Sequence, residues 1–367
     1  MGACRYCRSE RGELVLDLGD QPACEYFPPL DDPGPDPVAP LRLWLCADCG
    51  LAQLADDADL PDQPAGVEPR ALAEQRRDAV RAVVAAGLLP SRGRVVEGPT
   101  PHGGSWLPLL AEHGLDAAGD GPADVVVDGS FGLMHATDQA AALDGLLTHL
   151  APDGLVLFQW HTLAAILREG QWNAVRHGHY AYYSAPVVQR MLADRGLGIV
   201  SAWTFPLYGG TVLVAARRGG RPDASVGEVI TVELAAGVRD PQALRGLQRA
   251  MDAATSALRQ LLDSAAAAGE RVHGYSAASR AVALLNSTRT DHDRLLSVAD
   301  LSPAKQGCRM PGTRVPIVSP DRLVAASPDT VLVFVSELIA EVREAYPQIE
   351  AAGGRWADAG TGAVATA

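Results

Sequence analysis

No apolar run in the sequence approaches the roughly 18 residues that a membrane-spanning helix needs. The opening stretch, "MGACRYCRSERGELV", has no apolar core of the secretory kind. "MGACRY" also lacks the Ser/Thr that favours N-myristoylation. Basic charge is in the minority: 31 Lys and Arg face 44 Asp and Glu, for a net charge of −13. That balance argues against nucleic acid and anionic membranes as partners, while allowing a local basic pocket for an anionic substrate. Cysteine is scarce, at six residues. Without export signals the expected setting is the reducing cytoplasm, where cysteines serve as metal ligands or core residues. No histidine precedes His102.

What is present is an ordinary soluble composition. Of 367 residues, 47% are apolar and 20% charged. Such a chain buries a core without staples and divides into two or three domains. Four of the cysteines fall in two pairs, Cys4-x-x-Cys7 and Cys46-x-x-Cys49, the second followed by Gly50. Two such knuckles bring four thiolates to one tetrahedral zinc. Redox pairs or coincidence are the alternatives. With no histidine nearby, the site is a closed, structural one. Cys24 and Cys308 stand alone and read as buried. "PPLDDPGPDPVAP" is a Pro/Asp loop, and "DDADLPDQPAGVEP" a polar boundary.

Past that boundary, "RALAEQRRDAVRAVVAAGLL" has helical spacing. Strands and helices then alternate: "GRVVEG", "GSWLPLLAEHGL", "ADVVVDG", "DQAAALDGLLTHLAPDG", "LVLFQWH" and "APVVQRMLADRGL". The alternation predicts a parallel, doubly wound sheet, closed by an antiparallel hairpin around "PLYGG". Residues 240–268 read as one long amphipathic helix. "RVHGYSAASRAVALLN" begins a second α/β unit, and the tail "ADAGTGAVATA" reads as disordered. The expected architecture is α/β throughout. A zinc-binding module spans 1–60, a truncated Rossmann-like domain 61–222, and a helical linker plus a C-terminal Rossmann-like domain 223–367.

These blocks, in this order, resemble the deoxysugar C-methyltransferases of natural-product pathways. The resemblance covers about residues 4–350 and is carried by the paired C-x-x-C, "HYAYYS", "YGGT", "GYSAASRAVALLN" and "PAKQGCRMPGTRVPI". It implies a zinc module, a central methyltransferase fold, S-adenosylmethionine on the central domain and a nucleotide-linked 4-keto-deoxysugar in the interdomain cleft. The family's first loop reads acidic–x–Gly–x–x–x–Gly. Here Glu97 holds the acidic place, followed by Gly98, Pro99, Thr100, Pro101, His102, Gly103 and Gly104. The prolines remove two N–H donors, while Gly103 and Gly104 still permit a tight turn.

Only about 26 residues separate Gly98 from "DVVV". One strand–helix–strand unit takes roughly 30, and the family's fold needs about twice that. "LDAAGDGPAD" is too short for a strand, a helix and a pocket. Asp116 and Asp120 are the remaining candidates to hold a ribose. The adenosine floor is expected to be deleted, against the alternative of a compressed, working site.

The resemblance places a substrate-side His on His179. The family's adjoining Glu and earlier Tyr are Gly178 and Arg176 here. The chemistry implied is proton removal beside a ketone. An imidazole serves as base near neutral pH, and Arg176, His177 and Tyr183 are candidate donors to the enolate oxygen. Tyr182 lies beside them. His161, ending "LVLFQWH", stands with Gln159 at the sheet's carboxyl edge, where open α/β sheets bind ligands. His135 reads as a packing or capping residue. In the last domain Gly274, Tyr275, Ser276, Ser279, Arg280, Asn286 and Lys305 are candidate substrate contacts, at a turn whose N–H groups can face an anion. Three functions follow. The first keeps deprotonation without S-adenosylmethionine, as an epimerase, tautomerase or eliminating enzyme on a nucleotide-linked or free keto-sugar. The second is a working C-methyltransferase, and the third a non-catalytic partner protein.

Overall fold

The computed structural model describes residues 2–58, 60–61, 70–101, 103–119, 121–335 and 338–363. Asp120, His102 and most of the polar boundary lie outside the described residues. Among those described, the chain builds three sheets.

The first sheet is antiparallel. Its order is β1 (Gly12–Pro22), β2 (Val38–Cys46), β3 (Ala52–Leu54) and the late, two-residue β8 (Ala181–Tyr182). An extra residue at Val15 turns both Val15 and Leu16 inward, so β1 breaks strict alternation. At one end, Cys4, Cys7, Cys46 and Cys49 place their sulfurs within 4.8 Å of one another. The Cys4–Cys49 and Cys7–Cys46 sulfur separations are 3.5 and 3.6 Å. Tetrahedral zinc with 2.3 Å bonds sets sulfurs about 3.8 Å apart, so the four thiolates fit that ion. Gly50, at φ 82°, makes the sharp exit that lets the Leu51 N–H donate to Cys49 Sγ.

The second sheet has the order β5-β4-β6-β7-β10-β9. β4 (Gly93–Glu97), β5 (Leu115–Ala117), β6 (Ala123–Asp128) and β7 (Leu150–His161) are parallel. β10 (Thr211–Arg218) is antiparallel both to β7 and to its hairpin partner β9 (Leu197–Phe205). Helices α1 (Arg70–Ala85), α2 (Leu107–Ala111), α3 (Gln139–Leu147), α4 (Leu163–Arg168) and α5 (Ala185–Ala193) intervene. The stretch after α2, expected to be too short for a strand, a helix and a pocket together, holds a three-residue strand, with Leu115 fully buried beside Gly93. Between β5 and β6 only residues 118–122 remain, and the described ones among them form no helix or strand. Asp116 lies exposed in β5.

After α6 (Ala224–Ala235), which sequence reading missed, the long helix breaks at Arg245 into α7 (Pro241–Leu244) and α8 (Gly246–Ala268). The third sheet is wholly parallel, in the order β13-β12-β11-β14-β15. Its first strand is β11 (Val272–Tyr275), followed by α9 (Ser279–Thr288), β12 (Val298–Ala299) and β13 (Ile317–Val318). Then come α10 (Pro320–Ala325), β14 (Thr330–Val333), α11 (Ile339–Ala345), α12 (Pro347–Ala351) and β15 (Arg355–Asp358). This is a doubly wound order, whose ligand crevice opens beyond the carboxyl ends of β11 and β14. Part of the tail expected to be disordered is ordered: Ala357 and Asp358 complete β15.

The first and third sheets are joined by a buried ion pair. Arg309 binds Asp36 with two 2.6 Å bonds, and the side chains are 6% and 8% exposed. Burial alone would push the Asp36 carboxyl up. Arg309 and the Gly312 N–H reverse that and hold it below the usual range. Cys308 is only half-buried, contrary to expectation, while Cys24 is buried.

Metal analysis of freshly purified protein is expected to find about one zinc per chain, lost on Cys49→Ser with loosening of the first sheet. Asp36→Ala leaves a buried guanidinium unpaired and is expected to cost about 3–5 kcal/mol in denaturant unfolding. Because the folded-state pKa of Asp36 is depressed, its contribution persists above the unfolded carboxylate value of about 3.9 and is lost as pH falls below it.

Candidate functional site

The parallel strands of the central sheet deliver their loops to one edge. His161 ends β7, and His135 closes the short turn after β6. The segment before β8 returns to the same edge with Arg176 and His179, and the β9–β10 hairpin tip brings Tyr208. Three side chains, His179, Ser279 and Glu25, converge on the Arg176 guanidinium. Arg176 Nε donates to His179 Nε2 at 2.9 Å, and Arg176 Nη1 donates to Ser279 Oγ at 2.9 Å. The same guanidinium pairs with Glu25, from the β1–β2 connection. The Arg176 backbone N–H donates to the Tyr182 hydroxyl at 3.0 Å. The His135 ring meets the His179 ring edge-on, with centroids 4.6 Å apart.

His161 and Tyr208 continue the cluster, their ring centroids 5.7 Å apart. The Arg280 guanidinium lies 5.9 Å over the Tyr208 ring. Burial, reinforced by Arg280 and then Arg176, pushes His161 down to about 3. Burial and then Arg176 push His135 down to about 4. Both are therefore neutral imidazoles at neutral pH, and His161 Nε2 has no hydrogen-bond partner among the described residues. Arg280 also borders a groove of ≈ 850 Å³ with Trp172, Phe334 and Asp358, at the carboxyl edge of the third sheet. The two guanidinium ions are suited to stabilising an oxyanion, whereas the lowered His135 and His161 are weakened as proton acceptors.

Several predicted residues stand elsewhere. Gly178, at φ 81°, reverses the chain, so His177 leaves His179 and its Nε2 lies 3.3 Å from the Pro40 carbonyl. Tyr183 is buried against Phe158 and donates to Gln139, and burial holds its hydroxyl well above the usual phenol range. Gln159 is occupied by the Gly129 carbonyl and Gln75, each at 2.8 Å, and does not face the cleft. His135, read as a packing or capping residue, packs edge-on against His179 within the cluster.

In the third sheet, Ser279 and Arg280 reach the site, but their neighbours serve the fold. Tyr275 is buried against Tyr346 and Trp356. A side chain on Gly274 would meet Phe334 at 2.7 Å. Ser276 makes the turn at φ 73°. Asn286 donates to Val282 and Pro311 carbonyls at 2.8 and 2.9 Å. Lys305 donates to the Ala277 carbonyl at 2.7 Å with its ammonium 4.4 Å from the Phe27 ring, clasping the turn to the first module. Sequence reading missed Glu25 and Tyr208. "YGGT" marked the neighbourhood of Tyr208, whereas nothing local marked Glu25.

The loop after β4 packs upon the loop after β6. Glu97 turns inward, accepting from the Ser105 hydroxyl and, at 2.7 Å, from the Trp106 N–H. Trp106 is fully buried, and its indole lies so close to Gly129 that a methyl there would sit 2.1 Å away. A methyl on Gly132 would lie 2.3 Å from the Pro99 carbonyl. Asp128 caps the Gly132 and Leu133 N–H groups, and burial raises it to about 7. Gly103 and Gly104, at φ 75° and 74°, make the turn between Pro99 and Trp106.

Comparison with known proteins matches this layout. A family model of the C-methyltransferase C-terminal domain matches residues 206–359, and a zinc-binding domain model matches residues 4–62. C-methyltransferase NovU of Streptomyces niveus is 28% identical over 227 residues, which is 60% of this chain and 54% of that protein. The match thus spans about half the length of that curated relative. Among solved structures, a Burkholderia thailandensis 1,6-didemethyltoxoflavin-N1-methyltransferase is 15% identical. It covers 46% of this chain and 95% of its own, at a TM-score of 0.29. The NodS N-methyltransferase of Bradyrhizobium japonicum WM9 is 16% identical over 42% of this chain and 93% of its own, at a TM-score of 0.31. The four-cysteine module at one end and the C-terminal α/β domain at the other are thus the two parts that match C-methyltransferase family models, and NovU is similar over 60% of the chain.

Proposed function

We propose that this chain acts on a keto-sugar, nucleotide-linked or free, in natural-product biosynthesis, moving a proton beside the ketone without S-adenosylmethionine. The observation that carries this reading is the contact between the two loops at the central sheet's switch point. Trp106 packs on Gly129 and the Pro99 carbonyl on Gly132, so the two loops meet closely at the strand ends where open α/β sheets bind ligands. Glu97 is engaged within its own loop, and only residues 118–122 link β5 to β6. These residues do not fit the cofactor. The imidazole and guanidinium cluster beside the groove supports the other half of the chemistry.

His179 is the proton acceptor in this reading. Its Nε2 faces Arg176 Nε, so the guanidinium must leave it for the substrate oxygen. That one movement frees the nitrogen lone pair and brings a cation to the forming enolate. The C–H proton goes to His179, its electron pair becomes the enolate, and the proton then returns to carbon. His161, at the end of β7 beside Tyr208, is the second candidate base, although burial weakens it as a proton acceptor. Methyl transfer is the second reading, favoured by the likeness to NovU.

Calorimetry with S-adenosylmethionine and S-adenosylhomocysteine is expected to detect no micromolar binding. Such binding together with a methylated product establishes methyl transfer instead. In D₂O the wild type is expected to exchange deuterium into a 4-keto-deoxysugar, nucleotide-linked or free. His179→Ala is expected to slow exchange by ~10²–10⁴, whereas His177→Ala, at a residue facing Pro40, leaves it near wild type. Undiminished exchange in His179→Ala moves the base to His161. No exchange into any ketone tried, with no cofactor binding, supports the partner-protein reading.

A further inference from the structure

Glu233 lies on α6, in the segment that leaves the central sheet, and is only 2% exposed. Burying a carboxylate is unfavourable unless its oxygens are hydrogen-bonded. Burial raises Glu233 to about 7, although two donors act against that shift. A leucine would pack the same helix at lower cost, so the acid needs a reason beyond packing. Its two partners supply one. One oxygen accepts from the Thr162 hydroxyl, the other from the Ala185 N–H. Thr162 directly follows His161 and caps α4. Ala185 opens α5, at the end of the segment that carries Arg176 and His179. Two further bonds tie the same junction: the Leu163 N–H donates to the Tyr183 carbonyl at 2.8 Å, and the Thr162 N–H to the Gly210 carbonyl at 3.1 Å, beside the Tyr208 tip.

We infer that Glu233 is a positioning residue for the histidine cluster: it bridges the two chain segments that present His161 and His179 and fixes their separation. It touches neither ring. The inference rests on reading that cluster as the reacting site, but its main readout does not. Glu233→Leu removes both acceptors. Glu233→Gln keeps a bridge, because its amide donates to Thr162 Oγ while its carbonyl accepts from the Ala185 N–H.

The test is ¹⁵N-imidazole NMR of His161 and His179, with zinc content and circular dichroism as folding controls. Glu233→Leu is expected to shift both imidazoles, and Glu233→Gln to restore them toward wild type. Where keto-sugar exchange is measurable, kcat in Glu233→Leu falls about 10²-fold with little change in KM, since misplacement of about 1 Å has that effect. A folded, zinc-replete Glu233→Leu protein with unmoved His161 and His179 signals overturns the inference, whatever the reaction proves to be. Should that variant not fold, Thr162→Val decides. It removes the hydroxyl that donates to Glu233, together with the α4 cap, and leaves the Ala185 bond in place; an unshifted His161 signal there equally overturns the proposal.

Discussion

Two residues of backbone pairing govern the arrangement of this molecule. Ala181 and Tyr182 form β8 by adding to the edge of the first sheet, opposite Gln53 and Ala52. They belong in sequence to the central domain, between the segment bearing Arg176 and His179 and the start of α5. The pairing therefore makes the site segment common to two sheets. Tyr182 is buried in the core shared by the first and third sheets, while Tyr183 points into that of the central sheet. Adjacent residues of a strand face opposite sides, and here each side is a different hydrophobic core. The short pairing thereby positions the Tyr182 hydroxyl under the Arg176 backbone.

Arg5 works to the same end from within the first cysteine knuckle. Its guanidinium donates to the Leu54 and Thr137 carbonyls, both at 3.2 Å, and lies 4.6 Å over the Tyr180 ring. A metal at the four sulfurs would stiffen the turn that carries Arg5. Its structural role thus extends to the segment beside His179, although the sulfurs themselves take no part in the cluster.

What the sequence disclosed was chiefly local. C-x-x-C spacing located the sulfur cluster, and apolar runs between turn residues located β4, β6, β7 and the β9–β10 hairpin. Relations between distant segments were hidden. β1 was missed because the bulge at Val15 disrupts its alternation and its partner lies across a Pro/Asp loop. His135 and His179 meet because parallel strands share an edge, which no spacing along the chain reports. His177 and His179 looked equivalent in sequence, yet Gly178 at φ 81° sends them to different surfaces. Asn286 and Lys305 had the chemistry of ligand contacts but satisfy backbone carbonyls that the turns would otherwise leave bare. Glu233 gave no signal, since an acid within a helix ordinarily faces water.

The ion pair between Asp36 and Arg309 also has a consequence in time. The partners stand 273 positions apart. A ribosome adding roughly 5–20 residues per second takes about 14–55 s to travel that far. Throughout that interval the first sheet exists without its clasp, and β8, 135 positions after β2 ends at Cys46, arrives partway through it. The cysteine knuckles, complete by residue 49, are the brace available to the nascent module from the beginning.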